Sequence, residues 1–379
     1  MTVSPVDAAR ALFPVVREAA ETTERGRRLP LPIVAALAEA GLFRLCVPRV
    51  LGGTETDPTA LVLAIEEIAR ADGSAGWCTM IGATTGLLSG YLAEDAAREI
   101  FARDPNVVTG GVVAARGRAA VVDGGYRVTG RWPFASGCQH CAWLVGGCLV
   151  EDGGSAAPAA RMMMFPATAV EIIDTWTVSG LCGSGSHDIA VSDLFVPVGR
   201  TTSLVADRPR QPGPLYQFPL FGLLALGIAA VTLGIARTAI DELVELAGGK
   251  TPTGGRRRLA ERPAVQADVA QAEAELRAAR AFLLNASADA WNVASTRGTV
   301  DLGQRTLLRL AATHATVHAA GVVDRMYNAG GGTSVYATSL LQRCFRDVHT
   351  ATQHMMVGPP TWEFAGRLLL GIDTDTSTL

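Results

Sequence analysis

Apolar positions recur at helical spacing from the start of the chain. Ser4-Pro5-Val6-Asp7 reads as a helix start. It offers a hydroxyl to cap a free amide, a proline where a missing N–H costs nothing, and an acid to meet the positive end. Leu12, Val15 and Val16 continue that face. A second helix is expected over residues 32–40, stopped by Gly41, with the following apolar segment leading into the loop Gly52-Gly53-Thr54. Two more are expected over 58–71 and 76–101, broken around Asp72-Gly73-Ser74. Near Asp104-Pro105-Asn106 the period changes to alternation. Short β-rich runs follow at 126–129, 142–145, 161–165 and 188–196, with Asp123-Gly124-Gly125 as a hairpin turn. Such evenly spaced strands predict a small barrel or sandwich. Helices return over 215–248, 263–297, 302–328 and 338–356. Four long helices with short links predict an antiparallel bundle. The expected fold class is therefore α+β, mostly α, with a helical domain at 1–105, a β domain at 106–207 and a helical bundle at 208–379.

Composition narrows the class. Net charge is −3 and 18% of the 379 residues are charged, so no basic field marks a nucleic-acid or anionic-membrane partner. The chain is 49% apolar with a mean hydropathy of +0.25. The 19 uncharged residues 218–236 match the length of a membrane span, about 20 residues. They hold Gly222, Gly227 and Gly234, lack a basic flank on one side and stand alone, which predicts a buried central helix instead. The apolar surplus predicts a homotetramer, a symmetric dimer of dimers. The N-terminus lacks the pattern of a secretory signal, and seven scattered cysteines suit reduced thiols, so a cytoplasmic location is expected. Cys138-Gln139-His140-Cys141 is half of a zinc spacing with no second half, so no metal site is expected. Gly330-Gly331-Gly332 follows no strand and Gly183-Ser184-Gly185 lacks a third glycine, which argues against a nicotinamide site.

Four segments in order carry more. They are Pro48-x-x-Leu51-Gly52-Gly53, Gly130-Arg-Trp132-Pro-Phe134-Ala-Ser136-Gly137, Thr175-Trp176 through Gly180 to Ser186, and Arg343-x-x-Arg346-Asp347. Together with the order helices, strands, helices they resemble the acyl-CoA dehydrogenase superfamily over nearly the whole chain. Many dehydrogenases of that family place a carboxylate base eight residues after the aspartate. Here that slot holds Met355, a thioether, preceded by His354. The second place where some members put the base, the first bundle helix, contains no Asp or Glu over residues 216–240. The chain thus resembles the two-component, reduced-flavin-dependent monooxygenases more than the fatty-acyl enzymes. That resemblance implies the helical, small-barrel and four-helix-bundle architecture. It also implies flavin (FMN or FAD) used in reduced form, dioxygen, a separate flavin reductase and a small aromatic or heteroatom-bearing substrate. The alternatives are a thioester dehydrogenase with an unrecognised base and a catalytically silent subunit of a hetero-oligomer.

Trp132, Phe134 and Ser136 alternate, so on a regular strand they share one face, packed into a barrel core or laid against a flat cofactor. The resemblance implies the second, with Ser136 bonding the flavin edge near nitrogen 5 and Trp132 flanking the ring. In the family an Arg before a Phe-Gly pair binds flavin phosphate, helped by a Gln ten residues later across a subunit interface. Arg256 and Gln266 have that spacing, although the Phe-Gly pair is absent and Arg257 or Arg258 offers another register; the bland alternative is a solvated basic linker. On a helix Asp347, Thr350, Ala351 and His354 fall on one face, which leaves room beside an imidazole suited to general acid–base work. His349 is expected to pair with Asp347 or solvent, and His314 with His318, at i,i+4 but without an accompanying Glu, to belong to the bundle.

Overall fold

The structure, a computed structural model, describes residues 3–151, 159–377 and 379. Five helices open the chain: α1 (Pro5–Gly26), α2 (Leu31–Glu39), α3 (Pro58–Ala71), α4 (Gly73–Thr85) and α5 (Glu94–Phe101). Ser4 Oγ accepts from the Asp7 amide at 3.1 Å, as the opening motif predicts. Asp57 and Asp72 cap α3 and α4 in the same way. The single helix expected over 76–101 is instead α4, a 3-10 stretch at Gly86–Gly90, and α5. Two glycines bound that stretch, and glycine weakens helix continuation.

The middle region is a seven-stranded mixed sheet of β1 (Thr109–Val122), β2 (Gly125–Ala135), β3 (Trp143–Glu151), β4 (Ala160–Pro166), β5 (Glu171–Ile173), β6 (His187–Pro197) and β7 (Thr201–Thr202). The spatial order is β5-β6-β2-β1-β3-β4-β7. β1 runs antiparallel to β2 through the turn at Asp123-Gly124 and parallel to β3. The β2–β6 pairing slips between Trp132↔Ile189 and Ala135↔His187. That irregularity shapes the site below.

The C-terminal region holds α6 (Leu220–Gly249), α7 (Pro263–Arg297), α8 (Leu302–Gly330), α9 (Leu340–Ala351) and α10 (Pro360–Leu369). The most apolar stretch of α6 is 78% buried, which decides for a core helix over a membrane span. It packs against α3, α4, α8 and α9. A Cβ on Gly234 would meet the Glu66 carbonyl of α3 at 2.6 Å, so this glycine lets two helix backbones approach. The seven cysteines are free. The helix expected over 338–356 ends at Ala351, and His354 stands in the turn beyond it. There Thr352 Oγ1 bonds the His349 carbonyl and Gly358-Pro359-Pro360 prevents helix continuation.

Candidate active site

The Arg343-x-x-Arg346-Asp347 motif fastens α9 to its surroundings. Arg343 Nε lies 2.7 Å from Glu24 Oε2 of α1. Arg346 reaches Glu24 as well, and donates to the Ser179 carbonyl. Asp347 Oδ1 accepts the Leu181 amide at 2.6 Å. His349 pairs not with Asp347 but with Asp324 of α8, Nε2 to Oδ1 at 2.8 Å. α9 is thereby pinned to α1, to α8 and to the loop that crosses residues 178–186.

Directly beyond that pinned helix the chain turns His354 inward and Met355 outward. Met355 is 74% exposed. The Met356 amide donates to His354 Nδ1 at 3.2 Å, so the neutral ring carries its proton on Nε2. The imidazole meets the Trp77 indole edge-on, with centroids 5.8 Å apart and planes at 62°. By surface area the ring is half-buried, yet it is crowded on most sides. Burial first, and the charge of Arg309 second, hold its pKa down to about 4. At neutral pH this is a neutral imidazole with an N–H to offer.

Trp77 joins His354 to Ser136. Its Nε1–H donates to Ser136 Oγ at 2.9 Å. Ser136 Oγ lies 2.7 Å from Ser186 Oγ, which lies 2.7 Å from Ser184 Oγ. If Ser136 accepts from both Trp77 and Ser186, its own hydrogen remains to donate. All three hydroxyls are buried. The loop that carries Ser184 and Ser186 is held from both sides. Trp176 Nε1 donates to the Leu181 carbonyl at 3.1 Å, and His187 Nδ1 accepts from the Thr175 and Trp176 amides at 3.3 Å. Trp77 is the residue that reading the sequence missed. The one available signal was an indole set among the small residues of α4, since a buried indole N–H needs a partner.

The shared face expected for Trp132, Phe134 and Ser136 does not form. Trp132 points into the sheet's core, 0% exposed, with Nε1 donating to the Gly147 carbonyl at 2.7 Å and its ring 5.6 Å from Phe165. The slipped pairing after Trp132 re-aims the strand. Phe134 takes φ +66°, a region that bulky residues seldom occupy. Its ring is 66% exposed and stands edge-on to Trp176 at 6.2 Å and 87°. Trp132 therefore lies in the core and does not flank a bound ring, while Phe134 faces outward on the other side. A strained, exposed aromatic held beside a second aromatic and two residues from Ser136 makes this face the candidate surface. Aromatic walls with a few hydroxyls and one N–H donor suit a flat ring with a polar edge.

The other expected residues lie apart from this group. Arg256 and Gln266 are exposed around the link between α6 and α7, and Gln266 Nε2 donates to the Ala260 carbonyl at 2.9 Å. His314 and His318 stack on α8 with centroids 4.0 Å apart, the first against Phe282 of α7. No group of metal-ligating side chains occurs among the described residues.

Comparison with known proteins bears on the same regions. Residues 7–101 match the model of the acyl-CoA dehydrogenase N-terminal domain, and residues 226–359 that of the C-terminal domain. Indole-3-acetate monooxygenase of Pseudomonas putida is 36% identical, over 95% of this chain and 92% of its own. The flavin-dependent monooxygenase, oxygenase subunit HsaA, of Rhodococcus jostii is 31% identical over 92% of this chain and 93% of its own. The crystal structure of 3-HSA hydroxylase from Rhodococcus sp. RHA1 superposes with a TM-score of 0.93, at 29% identity, over 100% of this chain and 99% of that one. With its dehydrogenase base position turned to solvent as Met355 and a neutral His354 against Trp77, the chain belongs to the acyl-CoA dehydrogenase family, in its branch of flavin-dependent monooxygenases.

Proposed function

We propose that the chain is the oxygenase component of a two-component hydroxylase that receives reduced flavin, FMN or FAD, from a separate reductase. It then inserts one atom of dioxygen into a small aromatic substrate. Bound reduced flavin supplies the electrons that activate dioxygen. The chain's own part is to hold donors and exclude water. His354, neutral with its proton on Nε2, offers that N–H as a hydrogen-bond donor to the oxygen being transferred. Ser136 offers its remaining hydrogen to the polar edge of the ring. Phe134 and Trp176 form the apolar wall, and Trp77 fixes the spacing of Ser136 and His354. Arg256 with Gln266 holds flavin phosphate from an adjoining copy, a role that fits their exposure in one protomer.

The neutral imidazole beside the Trp77–Ser136 bond, next to a base slot filled by the thioether of Met355, carries this reading. An aromatic substrate is supported by the aromatic lining and by relatives named for indole-3-acetate and 3-HSA. Apolar side chains left exposed on α8 and at the end of α10, Leu307, Val317, Leu369 and the capping Leu370 among them, support a homotetramer. Residues 1–105, 106–207 and 208–379 form helical, barrel-like and bundle units in this reading, and seven free thiols suit the cytoplasm. The test supplies reduced flavin, isotopic dioxygen and a panel of small indoles and phenols, and follows label into product by mass spectrometry. Label in one hydroxylated product supports the proposal. No label in any product, with an acyl thioester reducing the oxidised flavin complex in a parallel assay, would overturn it.

A further inference from the structure

Two buried carboxylates sit where the three elements of the site converge. Asp72 Oδ1 caps α4 through the Ala75 amide at 2.7 Å. Asp347 Oδ1 caps the crossing loop through the Leu181 amide at 2.6 Å. Both line one small recess with Arg17, Gly73, Arg343 and Cys344. A Cβ on Gly73 would stand 3.2 Å from Asp347 Oδ2, so the second oxygen of Asp347 faces the backbone beside Asp72. The loop itself lies directly on α9, because a Cβ on Gly180 would overlap the Arg346 carbonyl at 2.1 Å. One turn along α4 from this recess is Trp77; five residues along the loop from Leu181 is Ser186; beyond the end of α9 is His354. The carboxylates are thus joined by short, packed connections to every group of the hydrogen-bonded set.

We infer that Asp347 and Asp72 are positioning residues for this site. Asp347 ties the 178–186 loop to α9 and Asp72 caps the start of α4 beside it, and together they set the Ser186–Ser136–Trp77 hydrogen bonds and the seat of His354. The inference rests on the reading of that site as the place of oxygen transfer.

Charge in the recess then matters. Facing the pair are Arg17 and Glu24 of α1, Arg70 of α3, Glu242 of α6, Arg343, Cys344 and Arg346 of α9, and Cys182 of the loop. Burial pushes Asp72 up to about 6; burial first and the charge of Asp72 second push Asp347 up to about 7. As pH rises through that range the recess gains a second negative charge without a new cation, and the clamp loosens.

The experiment compares wild type, Asp347→Asn, Asp347→Ala and Asp72→Asn by two readouts. One is hydrogen exchange of the 178–186 segment in the flavin-free protein. The other is the fraction of oxygen consumed that appears as product, from pH 5.5 to 8.5. In wild type both loop protection and that fraction should fall as pH rises through about 7. Asp347→Asn, which still accepts the Leu181 amide, should keep protection and flatten both profiles; Asp72→Asn should flatten them in part. Asp347→Ala should lose protection at Leu181 by about tenfold, the loss of one buried hydrogen bond that leaves the amide without its acceptor. Unchanged pH profiles in Asp347→Asn, or wild-type protection and coupling in Asp347→Ala, would overturn the inference. A loop that responds in a wild type that transfers no oxygen would instead overturn the site assignment beneath it.

Discussion

The cluster around Trp77 and the link between α6 and α7 hold the two halves of the expected flavin chemistry, and they are built in opposite ways. In that cluster, Ser136, Ser186, Trp77 and His354 come from the turn after β2, the crossing loop, α4 and the turn after α9, and hydrogen bonds or ring contacts fix each against another element. Around the link, Arg256 and Gln266 are exposed, and the contact of Gln266 is local. Groups that move protons need fixed geometry, and the fold supplies it within one protomer. Groups that grip a phosphate can wait for the ligand or for a second copy to order them.

That contrast can be broken by mutation. His354→Ala should give the largest effect, a fall in product formation of about 10²–10⁴-fold at saturating reduced flavin, with flavin affinity retained. Next is Trp132→Ala, which removes a fully buried indole from the sheet core and should destabilise the fold by about 3–5 kcal/mol in denaturant titration. Phe134→Ala, two residues on but exposed, should leave stability nearly unchanged and weaken flavin binding. Arg256→Ala should weaken flavin affinity about tenfold without altering turnover at saturation, since it removes a charge-assisted contact. Trp77→Phe keeps the ring and loses the donor to Ser136; it should cost about 0.5–1.5 kcal/mol of stability and lower coupling more than binding.

A smaller effect follows from protonation. His354 is held down to about 4 against 6.5 for the free side chain, so its stabilising contribution is present above 6.5 and is lost as pH falls through about 4. His354→Gln should therefore lose less thermal stability than wild type between pH 7.5 and 4.5. In activity profiles the imidazole should contribute no titration step near 6.5.

The sequence was most informative where local rules decide. α3 and α7 begin and end at the expected residues because each opens on a proline and closes at a breaker or turn. It was less informative where one distant contact decides. β1 was not delimited, since Gly110, Gly111 and Gly117 interrupt its alternation. The bulge that separates Trp132 from Phe134 arises from pairing with β6, nearly sixty residues further on, and leaves no mark on the alternating pattern. Trp77 finds Ser136 across 59 residues, so its role depends on packing that periodicity does not reveal. His354 was singled out by its place beside Met355, but the helical face used to orient it ends at Ala351. The residue was legible; the turn that aims it was not.

The most direct test of the central claim partitions oxygen among products. Wild type and His354→Ala are supplied with the same reduced flavin and a hydroxylated substrate from the panel, and oxygen uptake, product and hydrogen peroxide are measured together. Wild type should convert most of its oxygen uptake into product. His354→Ala should still consume oxygen and release it almost entirely as hydrogen peroxide. If His354→Ala keeps the wild-type ratio of product to oxygen, the imidazole has only a structural role and oxygen transfer is carried by other groups.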